Sequence, residues 1–157
     1  MSVASSASAG LQNKSSTTSS HAVEMRVRYQ GNLRCKAQHR PSKTNLTTDA
    51  PVDNHGLGES FSPTDLVAAA LASCMLTIMG ICAKKLDVSL AGTKSTVFKE
   101  MTATPPRRIA KISIHFMLPD VAAEHRAALE RAAHACPVKL SLHPDVAQEV
   151  VFGWGEA

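Results

Sequence analysis

Apolar and polar residues alternate along residues 21–29, with Val23, Met25, Val27 and Tyr29 on one side and Glu24, Arg26 and Arg28 on the other. That period of two predicts a half-buried strand. Gly31-Asn32 supplies a turn, and residues 33–39 alternate again, with Leu33, Cys35 and Ala37 opposite Arg34, Lys36 and Gln38. The two segments read as a hairpin, followed by a third short strand over 44–48. Residues 49–60 contain Pro51, Asp53-Asn54, Gly56 and Gly58, which is turn chemistry, and form a surface loop.

The period then changes. Ser62 is suited to accept hydrogen bonds from free amides at a helix start, Pro63 suits the first helical position, and Asp65 faces the positive end of the helix dipole. From there to Lys85 the chain is apolar on every side. Two β-rich segments follow, over about 93–102 and 109–118, the second placing Ile112, Ile114, Phe116 and Leu118 on one face. Pro119-Asp120 opens an amphipathic helix to about residue 135, with Ala128, Leu129, Ala132 and Ala133 as its buried stripe. Pro137 starts another short helix and puts Cys136 at or beside its N-cap; Val150, Phe152 and Trp154 alternate as a closing strand. Strands, helix, strands, helices and a last strand describe an α+β domain over residues 21–157. Residues 1–20, rich in Ser, Ala and Thr, are expected to be a disordered leader.

The stretch from Leu66 to Ala83 carries no charge and reaches the lower limit of a membrane span. Its first half is diluted by Ala68, Ala69, Ala70, Ala72 and Ser73, no second span exists, and no Trp/Tyr belt flanks it. A buried core helix is the expectation, with no membrane partner.

Composition narrows the function classes. The net charge is +4 on 157 residues, but the basic residues are scattered and aromatics are only 4%, which argues against nucleic-acid binding. The four cysteines show neither Cys-x-x-Cys nor zinc-like spacing, and no apolar secretory segment begins the chain, so a reducing cytoplasm is the expected location.

Cys74 and Cys82 share one helix about 12 Å apart along its axis, too far for a disulfide, which needs α-carbons within about 7 Å. Cys82 and the inward-facing Cys35 read as small core residues. Cys74 lies about three turns into its helix, beyond the reach of the end dipole, so a thiolate there needs an external cation. Arg34 is the leading candidate and Arg40 the alternative. Cys136, at an N-cap, can accept from free backbone amides, which favours its thiolate. His134 and His143 flank it, so a Cys-His pair is open; a metal site is disfavoured because no carboxylate cluster accompanies them.

Gly58-Glu59, Ser62-Pro63-Thr64-Asp65-Leu66 leading to Ala72-Ser73-Cys74, and the later Ala135-Cys136-Pro137-Val138 together resemble the OsmC/Ohr family of osmotically induced and organic hydroperoxide resistance proteins. The likeness extends over about residues 22–154. The resemblance implies an intertwined homodimer, each subunit wrapping an antiparallel sheet about a long central helix, with active sites at the subunit interface. It also implies a cysteine peroxidase needing neither metal nor haem. Cys74 matches the attacking cysteine and Cys136 its resolving partner, joined in a disulfide that an external dithiol, often lipoyl-linked in related proteins, reduces. Arg34 matches the family arginine. Well-characterised members carry a glutamate directly after the helix-start proline; here that residue is Thr64, and Glu59 or Asp65 is the expected substitute.

A peroxidase acting on organic hydroperoxides is therefore the leading function. A non-catalytic module that keeps the fold and holds a small apolar ligand near the dimer cleft, suggested by Thr64 in place of the glutamate and by the Met/Ala-rich helix with Met75 and Met79, is the second, and a Cys-His hydrolase built on Cys136 and His143 the third.

Overall fold

The computed structural model describes residues 22–157; the expected leader, residues 1–20, lies outside them. Three strands, β1 (Met25–Gly31), β2 (Arg34–His39) and β3 (Asn45–Asp49), form one antiparallel sheet in sequence order. A long helix, α1 (Pro63–Lys85), follows. The second sheet has the order β4–β5–β6, from β4 (Lys94–Met101), β5 (Ile109–Leu118) and β6 (Ala147–Trp154), with α2 (Ala123–His134) and α3 (Pro137–Ser141) between the last two strands. The fold is the expected α+β arrangement about a long helix. β5 and β6 pair in parallel, the one exception to antiparallel pairing among the described residues. Parallel neighbours need a long crossover, and α2 with α3 supplies it.

The start of α1 is specified locally. Ser62 Oγ accepts from the Asp65 amide at 3.2 Å, and Asp65 Oδ2 accepts from the Ser62 amide at 2.7 Å, a capping box that satisfies two otherwise orphaned donors. Lys84 and Lys85 lie in the last turn, favourable against the negative end of the dipole.

The core lies between α1, the β4–β6 sheet and α2. Leu71, Met75 and Met79 from α1 meet Ile112, Ile114, Phe116 and Leu118 from β5, with Leu129 and Ala133 from α2. Phe116 stacks on Phe152 of β6 with ring centres 5.6 Å apart. By length and composition α1 could cross a membrane, with a mean hydropathy of 2.2 over its most apolar window; here its buried side chains form the central layer of this core. α2 begins at Ala123 rather than beside Pro119, because Arg126 reaches back to Val121 O at 2.7 Å and Asp120 Oδ1 at 2.9 Å and holds those residues outside the helix.

One expectation fails in the first sheet. β1 was expected to be half-buried, yet Met25, Val27 and Tyr29 are 61–69% exposed, and Leu46 of β3 is 45% exposed. Cross-strand register puts Val27, Ala37 and Leu46 in one row, and Tyr29, Cys35 and Thr48 in the next. In these rows Val27, Tyr29 and Leu46 stay open, with no cover among the described residues, while Thr48 is buried and Cys35 half-buried beside Met101 and Arg107.

Candidate active site

Two groups of side chains carry reactive chemistry. The first is thiol. Cys74, half-buried on α1, packs against the core, and Cys136 is fully buried at the N-cap of α3. The fold places the two free thiols near enough for Cys74 to act on the titration of Cys136. α1 packs directly against α3, so the proximity follows from the layering of the helices. Cys136 Sγ accepts from the Lys139 amide at 3.4 Å, as the N-cap reading requires. The direction of its titration is nevertheless opposite to expectation. Burial pushes the Cys136 thiol up, the neighbouring Cys74 thiol adds to this, and the amides of Lys139 and Val138 only partly oppose them. Low dielectric around a buried sulfur outweighs two amide dipoles.

Neither histidine takes the Cys136 thiol. His134 lies edge-on to Phe152, with ring centres 5.8 Å apart, and His143 Nδ1 accepts from the Asp145 amide at 3.2 Å. The Cys82 sulfur lies 3.9 Å from Ala128 O and packs against the core, in keeping with a structural role. Cys35 is half-buried and lines a cavity of about 430 Å³ with Tyr29, Leu33, Met101 and Arg107.

The second group is ionic. Arg34 opens β2 and stands directly opposite Asp49 of β3 in the register, so both project from the same face of the sheet. Arg34 Nη2 donates to Asp49 Oδ2 at 3.0 Å and also to Glu59 Oε2. Bonds to Glu59 and then Asp49 raise the pKa of the Arg34 guanidinium, keeping it charged. Within one chain the structure does not bring Arg34 to Cys74. Arg40 engages Glu24, at 3.7 Å, and Gln38.

Glu59 is thus the residue that meets Arg34, while Asp65 is committed elsewhere. Lys99 of β4, with a side chain only 14% exposed, donates to Asp65 Oδ1 at 2.6 Å, Thr64 Oγ1 at 2.9 Å and Ser62 Oγ at 3.4 Å. The Thr64 hydroxyl therefore serves Lys99, not the arginine. Burial pushes the Asp65 carboxyl up, but the bonds from Lys99 and Ser62 prevail and hold it below its ordinary value. Lys99 carries no sequence signal, because its partners lie about 35 positions earlier.

The loop that presents Glu59 is tightly built. Gly56 lies against Ala50, where a β-carbon would come within 1.7 Å of the Ala50 carbonyl oxygen. Gly58 donates its amide to the same carbonyl at 3.2 Å and adopts a positive φ of 67°. Beside Glu59 a cleft of about 690 Å³ is walled by Phe61, Ala68, Ala69, Val97 and Phe98, with Asp65 and Lys99 at its polar end.

An α+β fold with a two-thiol site at the junction of a long helix and a Pro-started short one is the class these features define. The family profile described as OsmC-like protein matches residues 56–150, and the chain belongs to that family. The chain is similar to a crystal structure from Psychrobacter arcticus 273-4, provisionally described as an osmotic stress induced and detoxification response protein. The two are 45% identical over 82% of this chain and 93% of the other, with a TM-score of 0.78. It also shares its fold with an organic hydroperoxide resistance protein OsmC from Legionella pneumophila, at 19% identity, 87% and 99% coverage and a TM-score of 0.69. A similar likeness holds for an organic hydroperoxide resistance protein from Elizabethkingia anophelis, at 14% identity, 85% and 96% coverage and a TM-score of 0.69. Among curated proteins, none matches the chain.

Proposed function

We propose that the protein is a cysteine-based peroxidase that reduces organic hydroperoxides in oxidative stress defence, working in the cytoplasm as a homodimer. The observation that carries this reading is the proximity of Cys74 and Cys136, two free thiols remote in sequence. The Cys74 thiolate attacks one oxygen of the hydroperoxide, the O–O bond breaks, and the alcohol leaves with a proton, so Cys74 becomes a sulfenic acid. The Cys136 sulfur then attacks the Cys74 sulfur; water departs and a disulfide forms. An external dithiol restores both thiols and is itself oxidised to a disulfide. A protonated, buried Cys136 fits the resolving role, because a thiol kept neutral does not compete for the first attack.

Arg34 and Glu59 act in this reading on the Cys74 of a second copy. The uncovered face bearing Met25, Val27, Tyr29 and Leu46 supports such a partner, since apolar patches of this kind mark association surfaces. The partner would bring its Arg34 guanidinium to Cys74. The apolar cleft beside Glu59 suits the organic part of the substrate.

Intact-mass measurement after addition of cumene hydroperoxide tests the proposal. A loss of about 2 Da with two thiols consumed is expected, and Cys136→Ser should stop at the sulfenic acid, about 16 Da heavier. Unchanged mass with all four thiols titratable would rule the peroxidase out. The second reading, a binding module, is favoured by the Cys35-lined cavity of about 430 Å³; it predicts unchanged mass together with thermal stabilisation by an apolar ligand.

A further inference from the structure

Beneath the exposed Arg34–Glu59 pair lies a carboxylate that the catalytic reading does not use. The Asp49 side chain is fully buried, whereas that of Glu59 is 60% exposed. A single oxygen of Asp49 accepts from Arg34 Nη2 at 3.0 Å and from the Glu59 amide at 3.0 Å. Its own amide donates to Phe61 O at 3.1 Å, in the loop entering α1. Asp49 therefore ties together β2, β3 and the loop that carries Glu59. The Glu59 amide, followed by the Arg34 side chain, holds the Asp49 carboxyl below its ordinary value despite burial. An exposed ion pair alone is weakly held and screened by solvent; a buried carboxylate with two donors supplies the rigidity that the Arg34–Glu59 pair lacks.

The geometry at the guanidinium is selective. Both carboxylates take the same nitrogen, Nη2, and among the described residues neither Nη1 nor Nε has a partner. The planar fork is clamped by one prong and leaves the others for an anion. We propose that Asp49 is a positioning residue that aims the free donors of Arg34 at the Cys74 thiolate, an inference that rests on the peroxidase reading above. Asp49 acts through Arg34 and touches neither sulfur nor substrate.

The test is the pH profile of Cys74 alkylation by iodoacetamide in the full-length chain, followed by peptide mass, for wild type, Arg34→Ala, Asp49→Asn, the double variant and Arg34→Lys. Arg34→Ala should raise the midpoint by about one pH unit, and Asp49→Asn by about half a unit, a roughly threefold slower reaction near neutrality. The double variant should match Arg34→Ala alone, because Asp49 has no route to the thiol except through the arginine. Arg34→Lys should behave like Arg34→Ala, since a compact ammonium drawn to the two carboxylates has no planar fork to extend toward the thiolate; this holds even if Asp49→Asn fails to fold. A shifted midpoint in Arg34→Ala with a wild-type midpoint in Asp49→Asn, or in Arg34→Lys, would overturn the role of Asp49 and leave the role of Arg34 standing. A wild-type midpoint in Arg34→Ala would overturn both. A change in melting temperature alone would assign Asp49 a purely structural part.

Discussion

The first sheet and the layer built on α1 differ in what holds them. In the α1 layer, β5 buries Ile112, Ile114, Phe116 and Leu118, and the two thiols sit inside that packed volume. In the first sheet, β1 exposes all its large apolar residues, and the arginine cluster is organised by one buried carboxylate. Hydrophobic burial organises one region and charged hydrogen bonding the other. The reactive groups are divided the same way, with the thiols in the α1 layer and the Arg34 cation on the first sheet. Under the proposed peroxidase reading such a division makes function depend on assembly, since a sheet with an open apolar face gains its missing contacts from another surface.

The contrast can be broken most severely in the packed layer. Phe116→Ala should cost about 3–5 kcal/mol, read by chemical denaturation, because it opens a cavity against Phe152 and the α1 side chains. In the first sheet, Val27→Glu should leave the fold of the α1 layer in place but halve the sedimentation mass and abolish peroxide turnover. Full mass and turnover in that variant would show that the open face is not the association surface.

Smaller effects sharpen the comparison at the junction of the two regions. Ser62→Ala removes one side of the capping box and should cost about 1 kcal/mol. The Asp65 carboxyl is held below its ordinary value, so above about pH 4 both folded and unfolded chains carry it ionised and its full stabilisation is present. As pH falls further the unfolded chain takes up the proton first, and the stabilisation is lost as pH drops through the folded value. Denaturation midpoints measured from pH 7 to 3 should therefore fall less in Asp65→Asn than in wild type. Cys82→Ala should be the mildest, costing at most about 1.5 kcal/mol and leaving peroxide-driven mass loss unchanged, since its sulfur lies at Ala128 rather than at Cys136.

Periodicity and capping in the sequence were enough to place nine strands and helices close to their observed bounds. Ser62, Pro63 and Asp65 signal their helix because a cap involves residues three apart; β5 signals itself because alternation needs only neighbours. The pairing of Cys74 with Cys136 came instead from family resemblance, and the structure places those two thiols near one another. Arg34 was readable as a polar-face residue of β2, and Glu59 as a candidate carboxylate. Asp49 was not, because Asp49-Ala50-Pro51 looks like the opening of a turn and its opposition to Arg34 exists only once the strands are in register.

The chain alone therefore determined where helices and strands begin, which faces are apolar and which side chains are reactive, because each of these is set by residues within a few positions of one another. Tertiary structure decided the rest: the parallel pairing of β5 with β6, the seating of Lys99 on Thr64 and Asp65, the union of Arg34 with Asp49, and the upward shift of the Cys136 thiol. These depend on distance through space and on exclusion of water, and neither quantity exists until segments remote in sequence have packed together.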